Sequence, residues 1–107
     1  VNKQEFKDFH AKMGNIATTV MKAKNEDYAH GNDPFANFRG SLFIDVDPKL
    51  GVLLRMMDKI RRLQAFALRG NLKVKEESVT DAVVDIVNYA IIFGGMCEEE
   101  KNDGQAA

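Results

Sequence analysis

Residues 77–97 read Glu77-Ser78-Val79-Thr80-Asp81-Ala82-Val83-Val84-Asp85-Ile86-Val87-Asn88-Tyr89-Ala90-Ile91-Ile92-Phe93-Gly94-Gly95-Met96-Cys97, and the fold turns on whether they form one helix or two strands. The density of valine and isoleucine favours strands. About twenty residues pass without a turn signal, however, which exceeds the usual strand length and suits a helix. Set 100° apart, Val79, Ala82, Val83, Val84, Ile86, Val87, Ala90, Ile91 and Phe93 wrap most of the circumference. That is the pattern of a helix buried on several sides. One narrow stripe stays polar, with Glu77, Asp81, Asp85 and Asn88 at steps of four, four and three.

The flanking sequence supplies this helix with neighbours. Phe6, Phe9, Met13, Ile16, Val20 and Ala23 recur at steps of three and four, which predicts an amphipathic helix over residues 3 to 24. Asp33-Pro34 and Asp47-Pro48 each place a capping carboxylate before a proline suited to a first helical turn, so helices are expected to start at both. The first is short, about 34 to 44. The second runs from 48 to about 69 and closes at Gly70-Asn71. Its apolar face is read as Leu53, Met56, Met57, Ile60, Leu63 and Ala67, with Arg55, Asp58, Arg62 and Arg69 opposite. The expected fold is therefore all-α, a small antiparallel bundle of about four helices in one domain over residues 1–97, with 98–107 as a flexible, solvated tail.

With 107 residues, 45% hydrophobic, 29% charged and two prolines, the chain suits one globular core. Cys97 is the only cysteine, which excludes an intrachain disulfide and points to a reducing compartment. Neither a secretory leader nor an unbroken bilayer-spanning apolar run is read in the sequence, so a cytoplasmic location and no membrane partner are expected. The formal net charge of -1 leaves no electrostatic footprint for duplex nucleic acid. The charges are nonetheless segregated. Residues 55–75 hold Arg55, Lys59, Arg61, Arg62, Arg69, Lys73 and Lys75 against Asp58 alone, while residues 76–85 hold only acids. Such a pairing suits a metal-bound phosphate ligand, and equally two solvated helix faces that attract one another.

On the last helix, carboxylates four apart repel, and a bridging cation would relieve the repulsion. Hard oxygen ligands of this kind suit magnesium or manganese, which borrow further oxygens from a substrate phosphate. Against that, Ser78-Val79-Thr80-Asp81 fits a capping box in which Asp81 only satisfies the backbone. Asp58 lies between Arg55 and Arg62 at contact spacing, where an intrahelical ion-pair stripe accounts for it. An antiparallel packing would also bring it, with Arg55, Lys59 and Arg62 as phosphate-holding groups, toward the acidic stripe. The segment Lys24 to Pro34 is rich in hydrogen-bonding side chains. With Phe35, Asn37 and Phe38 behind it, a base could be stacked there and read at its edge, although a surface turn and helix cap explain the same residues.

Taken in order, Lys24-Asn25 with Asp27-Tyr28, Asn37-Phe38, the string from Leu54 to Leu63, and Glu76-Glu77-Ser78 with Asp81, Asp85 and Asn88-Tyr89-Ala90 form a set. Over about residues 20 to 93 it resembles the nucleotide modification associated domain 1 family of phages and bacteria. That family is in turn similar to the all-alpha nucleoside triphosphate pyrophosphohydrolases, the MazG and dimeric dUTPase group. The resemblance implies a MazG-like bundle completed as a homo-oligomer, dimer or tetramer. It implies Mg2+, with Mn2+ as substitute, held by Glu77, Asp81 and Asp85, with Asp58 contributed by the other helix and Asn88 orienting water or substrate. The chain departs from the pyrophosphohydrolases, which carry two glutamates three apart where Asp58 stands among Arg55, Lys59 and Arg62.

Two functions are thus expected. The first is a magnesium-dependent nucleoside triphosphate pyrophosphohydrolase with Asp81 and Asp85 as its catalytic acids, and with Lys24, Asn25, Asp27, Tyr28, Asn37, Arg55, Lys59, Arg62 and Asn88 on the nucleotide. The second is a non-catalytic nucleotide-binding or sequestering module associated with nucleotide or DNA modification, for which the missing glutamates argue. A purely structural helical subunit is the third reading. Self-association is expected as well, because the last helix is apolar on more sides than three neighbours easily cover.

Overall fold

The computed structural model describes residues 1–28, 31–39, 47–70 and 78–106, the side chains of residues 27, 28, 105 and 106 excepted. They form an all-α bundle of four helices, α1 (Lys3–Tyr28), α2 (Ala36–Arg39), α3 (Pro48–Arg69) and α4 (Val79–Ala106). Local chemistry sets the ends. Asn2 Oδ1 accepts from the Glu5 amide at 2.8 Å while Asn2 Nδ2 donates to Glu5 Oε1 at 2.7 Å, which closes the start of α1. Asp47 Oδ1 accepts from the Lys49 amide at 2.9 Å, with Pro48 in the first turn of α3. Gly70 ends α3 at φ +80°, a backbone that favours glycine, and donates its N–H to the Phe66 carbonyl at 2.6 Å.

The last helix is the hub. Both α1 and α3 pack on α4, and α2 packs on α3. Lys24 and Ala17 of α1 meet Asp85 and Asn88 of α4, and Lys59 and Lys49 of α3 meet Asp85 and Glu100, so both helices run antiparallel to it. Buried Phe38, Val52 and Met96 form the core cluster, with Phe35, Met56, Tyr89, Ile92 and Phe93 packed around it. A Cβ on Gly95 would lie 2.9 Å from Phe35 Cζ, so the absent side chain is what lets this ring reach α4. By length and composition alone, α4 is also apolar enough to cross a bilayer.

Several expectations are revised. α1 runs to Tyr28 rather than ending near residue 24, and α4 runs to Ala106, through residues expected as a solvated tail. The extension of α4 is fastened by Arg39, bonded to Glu99 at 2.6 and 2.8 Å, and by Lys49, paired with Glu100. The helix expected over 34–44 is described only as Ala36–Arg39, since residues 40–46 lie outside the described residues. Most telling is α3, whose apolar residues divide between two faces. Val52 is fully buried and Met56 and Leu63 are partly so, whereas Leu53, Met57 and Ile60, on the adjoining flank of the helix, stand exposed.

Candidate functional site

A cavity of about 280 Å³ opens where the second half of α1, the segment before and within α2, the middle of α3 and the first half of α4 meet. Helical periodicity explains the contribution of α4. Asp85, Asn88, Tyr89 and Ile92 follow at steps of three, one and three and so share one face. Each is fixed by a different contact. Asp85 Oδ1 lies 3.2 Å from Lys24 Nζ and its Oδ2 lies 3.1 Å from Lys59 Nζ. With Asp85 only 16% exposed and Lys59 17%, this pair is largely withdrawn from water, while Lys24 at 47% is half solvated. Asn88 Nδ2 donates to the Ala17 carbonyl at 3.1 Å, ties α4 to α1, and leaves its own oxygen without a partner among the described residues.

The opposite wall is aromatic. Phe38 is buried and meets Tyr89 edge to face, with ring centroids 6.4 Å apart at 87°. The Arg55 guanidinium sits 4.8 Å over the Phe38 ring, within the range of a cation–π contact. Among the described residues, no carboxylate forms an ion pair with Arg55, so its charge is not neutralised by an acid there. Asn37 lines the mouth, exposed and with no side-chain partner among the described residues, and Asn25 makes only a weak contact from Nδ2 to Met21 Sδ at 3.3 Å. Asp33 closes the rim and is anchored by Arg39, whose Nε lies 2.8 Å away. The bond to Glu99, then the nearby Asp33, holds the Arg39 guanidinium above its ordinary range, although partial burial works against this. Arg39 therefore fastens the α2 wall of the cavity to the far end of α4.

The structure thus brings together six of the residues singled out from sequence, Lys24, Asn25, Asn37, Arg55, Asp85 and Asn88, around one cavity. Lys59 joins them through Asp85. The other described members of the set do not line it. Asp81 does not line the cavity: its Oδ2 accepts from the Ser78 amide at 3.1 Å, and its own amide donates to Ser78 Oγ at 3.0 Å, completing a capping box. Asp58 is exposed and lies 3.7 Å from Arg62 Nε, beside a shallow groove shared with Leu54, Arg55, Lys59 and Tyr89. Glu77 and the side chains of Asp27 and Tyr28 lie outside the described residues.

As a donor set for magnesium, the described residues fit poorly. No three of their carboxylates, histidines or cysteine gather into a group that could hold a metal ion. Asp85 is engaged by two ammonium groups, Asp81 by a helix start, and Asp58 by Arg62. What sequence reasoning missed was Met21 and Ile92 as cavity walls and the Arg39 anchor, whose partner lies 60 residues away. No local pattern marks such a contact. Comparison with known proteins finds no matching family model, no matching curated protein and no matching solved structure.

Proposed function

We propose that this cavity binds a nucleotide and that the chain acts as a binding or sequestering module. The observation that carries the reading is Arg55, a guanidinium stacked on Phe38 at the cavity wall with no acid paired to it among the described residues. Arginine in that state is suited to phosphate oxygens, which it can grip with two parallel N–H bonds. The Phe38 and Tyr89 rings offer apolar surface for a flat heterocycle, and stacking of a base on an aromatic ring contributes about 1–3 kcal/mol. The amides of Asn25, Asn37 and Asn88 are donors and acceptors of the kind that read a base edge or a sugar hydroxyl. A volume of about 280 Å³ is near the lower end of small-molecule sites, enough for a base and sugar with the phosphates projecting toward Lys24 and solvent. The resemblance of residues 20–93 to the nucleotide modification associated domain 1 family supports the same ligand class.

The residues divide the work by chemistry. Arg55 and Lys24 neutralise phosphate, the rings exclude water from the base, and Asp85 holds Lys24 and Lys59 in place between ligands. Magnesium-dependent pyrophosphohydrolysis is the rival reading, and it requires Asp85 to leave both lysines for a cation. To decide, the chain is incubated with ribo- and deoxyribonucleoside triphosphates, with and without magnesium or manganese, and the products are separated by ion-exchange chromatography. Unchanged nucleotide retained by the protein is the expected result. Monophosphate and pyrophosphate appearing only with metal would replace the binding module by the hydrolase, and neither turnover nor retention would remove both.

A further inference from the structure

One face of α4 serves two purposes in succession. Asp85, Asn88, Tyr89 and Ile92 line the cavity, and Gly95, Met96 and Glu99 continue the same face at steps of three, one and three. This second stretch seats the α2 wall. Phe35 reaches α4 across Gly95, Phe38 shares the buried core cluster with Met96, and Arg39 Nη2 donates to both carboxylate oxygens of Glu99 at 2.6 and 2.8 Å. The same guanidinium also faces the cavity rim. Its Nε lies 2.8 Å from Oδ2 of Asp33, and its carbon sits 5.8 Å over the Phe35 ring. Asp33 Oδ1 in turn accepts from the Phe35 amide at 3.0 Å. A series of contacts thus runs from the rim to a turn of α4 about 10 Å along the helix beyond Ile92. The next residue, Glu100, engages Lys49 at the start of α3 instead, and neither Glu99 nor Glu100 lines the cavity.

We infer that Glu99 is a positioning residue for the cavity: through Arg39 it holds the α2 wall, with Asp33, Asn37 and Phe38, in the place that receives the ligand, and so sets nucleotide affinity from outside the site. The ligand rests on the nucleotide reading above, and the positioning rests on the ion-pair geometry. Helix α2 has four residues and one buried side chain, Phe38. A helix that short is not stable by itself, so its anchors decide where it sits. Charge-assisted hydrogen bonds such as those of Arg39 are the stronger kind. A wall in place only part of the time lowers the apparent affinity by that fraction. The Arg39 and Glu99 side chains are 39% and 40% exposed, so added salt weakens their tie.

The test compares Glu99→Gln with Glu100→Gln, which removes the neighbouring ion pair and leaves the anchor of the wall intact. The first readout needs no ligand. The Phe38 and Arg39 amides donate to the Phe35 carbonyl at 2.9 and 3.1 Å. Their hydrogen exchange quickens by about threefold or more in Glu99→Gln and stays unchanged in Glu100→Gln. The second readout is calorimetry with a nucleoside triphosphate at low salt, where Glu99→Gln binds about threefold or more weakly and Glu100→Gln binds as the parent chain does. Arg39→Gln loses more, since it also releases Asp33, and adding Glu99→Gln to it loses nothing further because Glu99 acts through Arg39. A pair that only stabilised the surface would shift Tm alike in both single variants and leave exchange and affinity as they were. Unchanged exchange in Glu99→Gln would overturn the inference, as would parental affinity in that variant or a further loss in the double variant beyond Arg39→Gln. A parent chain that binds no nucleotide would remove the cavity reading instead, and the exchange readout would still decide whether Glu99 holds the wall.

Discussion

Replacing Asp85 by asparagine keeps the shape of the side chain and removes the charge that holds two ammonium groups. At 3.1 Å and an effective permittivity of about 20, the attraction to Lys59 has an upper bound of about 5 kcal/mol. Most of that is offset by desolvation of two groups that are each less than one-fifth exposed. The Lys24 pair, half solvated on the lysine side, adds less than about 1 kcal/mol. A net loss of about 2 kcal/mol follows, or roughly 10 °C in Tm for a domain of this size. Ligand binding moves the other way. With the negative charge gone from the cavity wall, a bound phosphate is relieved of repulsion on the order of 1 kcal/mol, which tightens binding about fivefold at low salt. Thermal unfolding by circular dichroism reads the first effect and titration calorimetry with a nucleoside triphosphate reads the second. An unchanged Tm together with lost binding would refute the reasoning, because Asp85 would then be a ligand-holding group and not a clamp for lysines.

Three other outcomes follow from the same geometry. Arg55→Gln, which removes the guanidinium over Phe38, weakens nucleotide binding at least tenfold with little change in Tm, and equal affinity in calorimetry would count against phosphate recognition there. Gly95→Val drives a branched side chain into Phe35, whose Cζ would lie 2.9 Å from any Cβ at that position. It destabilises the chain by about 1–3 kcal/mol, and Phe35→Leu in the same chain restores part of the loss in a denaturant titration. The Asp47 carboxyl is held below its ordinary value first by the Lys49 amide and then by the Lys49 ammonium. Its stabilisation of the α3 start is thus present above the unfolded-state value and lost as pH falls through the folded one. Carboxyl NMR shifts of Asp47 titrating below those of an unfolded peptide, together with loss of the Lys49 amide contact on acidification, are the expected signs.

Much of the fold is legible in the sequence because its signals are local. The Asp47-Pro48 start and Gly70 stop of α3, and the capping box at Ser78 and Asp81, depend on residues two to four apart. The length of α4 is less so, since Arg39 and Lys49, far away in sequence, are what engage Glu99 and Glu100. In α3 the periodicity suggests a single amphipathic stripe where the structure has two. Met56 and Met57 are neighbours in the chain yet point about 100° apart, and composition does not say which of them meets α4. For the site, the residue types are readable but their partners are not. The four-residue spacing groups Asp85 with Asp81, whereas its contacts in space are Lys24 and Lys59 from two other helices.

The central claim, that the cavity beside Arg55 takes a nucleotide through the chain's own cations, is tested most directly by calorimetric titration of nucleoside triphosphates into the protein with all divalent metal chelated. One nucleotide bound per chain, weakened by added salt and by Arg55→Gln, is the predicted result. Binding that vanishes with the chelator and returns with magnesium, or no binding by any member of the panel in either condition, would contradict it.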